Sequence, residues 1–131
     1  MTNANRKRVL LVQDDAMNLE LLQAVLEGDG FDVLVATNAT NGIEIARREH
    51  PDAILMDLQM PEMDGLQATR ILQTEPETSG IPVIAITAHV RKDDKARCLE
   101  AGCVLHLAKP IDTRSLVATV TRVIQATGRP L

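Results

Sequence analysis

The chain predicts an α/β sandwich in which one five-stranded parallel sheet lies between two layers of helices, and three observations carry that prediction. Short runs rich in Val, Ile and Leu recur at 9–12, 33–36, 53–56, 83–86 and 104–107. Each run is continuously apolar rather than alternating, the pattern of a strand covered on both faces. Between the runs lie segments with helical apolar spacing, so strands and helices alternate and a parallel sheet follows.

The elements follow in chain order. Arg6-Lys7-Arg8 leads into the first strand, its charges marking the solvent edge. Leu19, Leu22, Val25 and Leu26 make the stripe of a first helix, which Gly28 and Gly30 end. Asn38 is an N-cap for a second helix carrying Ile43 and Ala46, and Asp64-Gly65 opens a third carrying Leu66, Ile71 and Leu72. A fourth helix spans about 92–101 and stops at Gly102. A fifth starts near Asp112 or Thr113 and carries Leu116, Val120, Val123 and Ile124. Residues 1–131 read as a single domain with its core at about 8–125, a short polar lead-in and a frayed tail.

Composition removes several function classes. A net charge of −4 opposes nucleic acid or an anionic membrane as the main partner, because both reward clustered positive charge. No apolar run reaches the ~18 residues of a spanning helix, and Met1 to Asn5 is too polar for a signal peptide, so a cytoplasmic location is expected. Phe31 is the only aromatic residue, which removes base stacking, flavin stacking and aromatic cages. Cys98 and Cys103 lack metal-type spacing and read as reduced thiols packed like small apolar residues.

Parallel sheets of this kind bind ligands at the carboxyl ends of their strands. Gln13-Asp14-Asp15, Asp57, Thr87-Ala88-His89 and Lys109-Pro110 stand there, bringing carboxylates, a hydroxyl and a lysine to one edge. Asp57 ends a buried strand, where a carboxylate is costly unless it is paired. Gathering Asp14 beside it adds repulsion, which a hard dication relieves. Mg²⁺ suits so sparse a site, since it uses one or two carboxylates and keeps several waters. Lys109 and Thr87 then supply a positive charge and a hydrogen-bond donor for the oxygens of a phosphoryl group.

The acidic end of the first strand, MDLQMPEMDG around Asp57, AITA around Thr87 and LAKP around Lys109 occur in this order and spacing. Over about residues 8–125 the chain thereby resembles the receiver domain of two-component response regulators. The resemblance implies a flavodoxin-like, doubly wound (βα)5 fold. It implies that Asp57 accepts a phosphoryl group from a phosphohistidine, on a sensor histidine kinase or a histidine phosphotransfer protein. Asp14, Asp57 and the backbone carbonyl of Gln59 would hold Mg²⁺, Lys109 would contact the phosphoryl oxygens, and Thr87 would swing toward them. Ala88 leaves access to the site, and Pro110 resembles the family's proline that follows the lysine through a cis peptide. Output is expected on the face of the fourth helix, fifth strand and fifth helix, in a monomer or a phosphorylation-dependent dimer.

The chain departs from the family at two places. Setting Asn18 on the family's frequent Asn puts Gln13 and Asp14 on the acidic pair, so Gln13 replaces an acid that holds the metal through water. Asp15 then falls on a variable position, where it either compensates for the missing acid or, more simply, is a solvated N-cap of the first helix. Losing one negative charge about 5 Å from a dication costs roughly 2 kcal/mol even in a water-like dielectric, so Mg²⁺ is expected to bind at least about tenfold more weakly. His106 stands three before the lysine, where the family places an aromatic switch residue; an imidazole there is expected to report Thr87 movement or to be a plain strand-end histidine. His89 is a candidate for controlling water access, or an exposed loop residue, and His50 reads as a loop residue. The alternatives are a degenerate receiver that binds proteins without phosphorylation, and a receiver piece of a hybrid histidine kinase. A haloacid-dehalogenase-like phosphatase wants an acid where Gln59 stands, and a flavodoxin-like carrier wants a hydroxyl-rich phosphate loop that the first strand lacks.

Overall fold

The computed structural model describes residues 6–60, 63–88 and 92–127. In chain order these form β1 (Arg8–Val12), α1 (Ala16–Gly28), β2 (Asp32–Ala36), α2 (Ala39–Glu49), β3 (Ala53–Asp57), α3 (Gly65–Thr74), β4 (Val83–Thr87), α4 (Lys92–Ala101), β5 (Leu105–Ala108) and α5 (Thr113–Ala126). All strand pairs are parallel, in the order β2-β1-β3-β4-β5. Strand order therefore reverses between β1 and β3, and the crevice beyond their carboxyl ends lies at that switch point.

Helix starts follow the short polar side chains read in the sequence. Asp15 accepts from the backbone N–H groups of Met17 and Asn18, Asn38 from that of Asn41, Asp64 from that of Gln67, and Asp112 from that of Arg114. Each cap satisfies donors that the first helical turn leaves open, typically worth about 1 kcal/mol. His50 closes α2 with φ 49°, in the left-handed region, so it is a helix C-cap as well as the loop residue expected.

Residues of the central strands alternate between two cores. Leu10, Val12, Ile54, Met56, Val83 and Ala85 pack under α2, α3 and α4, together with Ile43, Leu72 and Cys98. Val9, Leu11, Leu55, Ile84 and Ile86 pack under α1 and α5, with Leu22, Leu26, Leu116 and Ile124. Each fully buried Leu or Ile contributes about 1.5–3 kcal/mol by leaving water. The expectation that all five strands are covered on both faces holds for β1, β3 and β4 but not for β2 and β5. Those two are the sheet edges, and Val104 and Leu105 are exposed. Cys98 and Cys103 are buried and not joined in a disulfide, and burial pushes the Cys103 thiol up to about 11.

Candidate functional site

The sheet sets the site by extending its ladders beyond the strand ends. The Gln13 N–H donates to the Ala36 carbonyl (3.0 Å), that of Leu58 to Ile86 (2.9 Å) and that of Lys109 to Thr87 (2.9 Å). These bonds fix the backbone at the first residue past β1, β3 and β5. The Lys109–Pro110 peptide is cis. Gly65 is required by a close approach: a Cβ there would lie 2.6 Å from the Asp57 carbonyl oxygen and 2.9 Å from Leu58 Cα. With hydrogen alone at that position, the first turn of α3 closes over the end of β3.

Asp57, the last residue of β3, is only 1% exposed. Its Oδ1 accepts the Gln59 backbone N–H at 2.9 Å, while Oδ2 accepts Lys109 Nζ at 2.9 Å and Gln13 Nε2 at 3.4 Å. Three donors thus stabilise a carboxylate whose isolated burial is prohibitive. The Lys109 side chain is 24% exposed, so its charge sits at the water boundary and the carboxylate behind it. Gln13 is buried, and its Oε1 has no hydrogen-bond partner among the described residues.

Asp14 follows Gln13 and is exposed at the carboxyl end of β1. Thr87 ends β4, buried and in register with Ala108, and the exposed Ala88 comes next. Pro110 lines a pocket of about 280 Å³ together with Gln13, Asn18, Leu21 and Lys109. Asp15 is the N-cap of α1: besides the two backbone donors, its Oδ2 accepts Asn18 Nδ2 at 3.3 Å. His106 is half-buried in β5 opposite Ala85, on the sheet face that packs toward α4. His89 lies outside the described residues. The structure thus brings Gln13, Asp57 and Lys109 into direct contact and sets Asp14, Thr87 and Ala88 at the same sheet edge. Sequence reasoning missed three parts: the Gln59 N–H, the glycine needed at 65, and the donor that Gln13 aims at Asp57. Only the residue type at 13 hinted at the last.

Among the described residues no group of three or more His, Cys, Asp or Glu is placed to hold a metal. Two carboxylates, Asp14 and Asp57, at one strand-end edge fit a hard divalent cation that keeps most of its water, and do not fit a fully protein-ligated zinc or calcium. No described helix is long and apolar enough to cross a membrane.

A family model described as the response regulator receiver domain matches residues 9–121. The polar-differentiation response regulator DivK of Brucella ovis is 36% identical over 114 residues, covering 87% of this chain and 93% of that protein. The receiver domain of a sensor histidine kinase from Pseudomonas aeruginosa, solved with a magnesium ion coordinated in its active-site cleft, is similar with 33% identity and a TM-score of 0.84 over 92% of this chain and 98% of that one. The receiver domain of a signal transduction histidine kinase from Syntrophus aciditrophicus matches with 30% identity and a TM-score of 0.86, covering 95% of each chain. The match to the receiver model over residues 9–121, on a doubly wound sheet that buries an aspartate at its switch-point edge, places this chain in the two-component response-regulator receiver family.

Proposed function

We propose that this chain is a phosphoacceptor, in which Asp57 takes a phosphoryl group from a phosphohistidine of a sensor histidine kinase or a histidine phosphotransfer protein. The observation that carries the reading is the buried Asp57 carboxylate held at 2.9 Å by Lys109 Nζ, at the sheet edge where Asp14 and Thr87 also stand. A carboxylate oxygen attacks phosphorus, and the P–N bond to the donor imidazole breaks with its electron pair passing to the ring nitrogen. The product is an acyl phosphate on Asp57. Lys109 transfers its ion pair from the carboxylate to the phosphoryl oxygens, and the Thr87 hydroxyl donates to one of them. Ala88 leaves the approach to phosphorus open. Bound Mg²⁺, held by Asp14, Asp57 and the backbone carbonyl of Gln59, would neutralise charge on the phosphoryl oxygens.

Thr87 movement is read by His106 on the neighbouring strand and reaches partners through the face of α4, β5 and α5. Exposed Leu99, Val104 and Leu105 support that face, as does an apolar groove of about 300 Å³ lined by Pro82, Val104, Leu105 and Val123. In this reading residues 1–131 work as one receiver unit in the cytoplasm, as a monomer or a phosphorylation-dependent dimer, with protein rather than nucleic acid as partner. Likeness to receivers of histidine kinases leaves a hybrid-kinase receiver as the same chemistry in another setting. One observation favours a second reading, a receiver that binds proteins without being phosphorylated: Gln13 stands where the family's acid would be and points a donor at Asp57.

The test is phosphoryl transfer from a phosphorylated histidine phosphotransfer protein, followed by loss of label from the donor. Transfer to the wild-type chain and none to Asp57→Asn supports the proposal. A folded wild-type chain that takes no label in Mg²⁺ from any of several donors, nor from acetyl phosphate, favours the second reading.

A further inference from the structure

We infer that the Gln13 carboxamide is a two-position toggle that restrains Asp57 when no divalent cation is bound and releases it when one binds. The inference rests on the phosphoacceptor reading above and concerns how this chain works with a neutral residue where its family carries an acid. A carboxylate accepts hydrogen bonds and cannot donate them, so the Gln13 atom facing Asp57 Oδ2 at 3.4 Å is the nitrogen. Its oxygen therefore faces away, buried and without a partner among the described residues. One end of the amide is used and the other is left unsatisfied, in a side chain that is only 2% exposed.

An N–H dipole with its positive end on Asp57 does the work of a weak cation at that oxygen and opposes a true cation at the same carboxylate. A half-turn about the last side-chain torsion exchanges the nitrogen and oxygen of an amide with almost no change in shape, and that torsion is soft and nearly two-fold. With a cation bound, the turned Oε1 would take the place facing Asp57 and accept from water in the cation's shell, while the N–H would leave Asp57 for the buried position that Oε1 held. The family's acid at this position performs only the second half, because a carboxylate has no N–H to place on Asp57. Lys109 Nζ shares Oδ2 with Gln13, so the metal-free carboxylate is held from two sides and is a poorer nucleophile. Cation binding and release of the phosphoacceptor become one equilibrium.

The experiment is an NMR titration of the wild-type chain with MgCl₂ at constant ionic strength, following the Gln13 side-chain amide pair, which Gln13→Glu identifies by its disappearance. The expected result is that this pair moves in step with the backbone amides of Asp14 and Asp57 and saturates with them. Gln13→Glu is expected to bind Mg²⁺ at least about tenfold more tightly by the same backbone signals. Backbone signals that saturate while the Gln13 pair stays in place would overturn the toggle and leave the cation site standing. Absence of any saturable shift in either protein would remove the cation site itself, and the toggle with it. Gln13→Met, near in size and without a donor, supplies a second readout: its metal-free Asp57 carboxyl carbon signal is expected to leave the wild-type position. No movement there would overturn the restraining half of the proposal.

Discussion

Lys109→Met, measured in metal-free buffer, asks how much of the fold depends on the ion pair at the sheet edge. The carboxylate left behind is 1% exposed, and removing one partner of a fully buried pair costs about 3–5 kcal/mol. Two features reduce that figure here. The Gln59 N–H and the Gln13 amide stay on Asp57, and the Lys109 side chain is itself 24% exposed. We therefore expect a loss of about 2–3 kcal/mol. The reverse variant is cheaper: in Asp57→Asn the ammonium extends to solvent and the amide oxygen keeps the Gln59 N–H, so stability stays within about 1 kcal/mol of wild type. The double variant has no buried charge and is expected close to Asp57→Asn, giving a coupling of about 2–3 kcal/mol. With no Trp or Tyr in the chain, urea unfolding is followed by far-UV circular dichroism. A Lys109→Met cost below about 0.5 kcal/mol, or a double variant as unstable as the sum of the singles, would show that the fold does not depend on this ion pair.

Three further outcomes follow from other parts of the molecule. Gly65→Ala places a methyl 2.6 Å from the Asp57 carbonyl oxygen, which is backbone and cannot turn aside. A loss of about 1–3 kcal/mol in urea unfolding is expected, and a neutral substitution would count against the close approach. The Cys103 thiol is raised from the ordinary value near 9 to about 11 by burial, so the unfolded chain ionises first as pH rises. Its contribution is intact below pH 9 and declines between about pH 9 and 11, by roughly 2–3 kcal/mol relative to Cys103→Ala, and parallel pH profiles for the two proteins would contradict this. His50 caps α2 with φ 49°, so His50→Gly removes left-handed strain and is expected to raise stability by about 0.5–1 kcal/mol; a loss of that size would show the imidazole makes a contact worth more than the strain.

Much of this architecture was legible because the residues that announce it act locally. Asn38, Asp64 and Asp112 cap helices through bonds that span two or three residues, and apolar runs 9–12, 53–56 and 83–86 become the central strands. What the sequence hid depends on residues far apart in the chain. Apolar content alone did not mark 33–36 and 104–107 as edge strands, since edge position is a matter of strand order. Asp57 and Lys109 were legible as chemistry, but the Gln13 amide on Asp57 is a contact across 44 residues that depends on which way a carboxamide faces. Gly65 announced a helix start, while the reason for glycine lies in the backbone of Asp57 and Leu58.

The central claim, that Asp57 is a working phosphoacceptor despite Gln13, is tested most directly by intact-protein mass after incubation with acetyl phosphate, with and without Mg²⁺ and with Asp57→Asn alongside. A gain of one phosphoryl mass that needs Mg²⁺ and is absent from the variant is expected. A folded wild-type chain that gains nothing at high Mg²⁺, or a variant that gains as much as wild type, would contradict it.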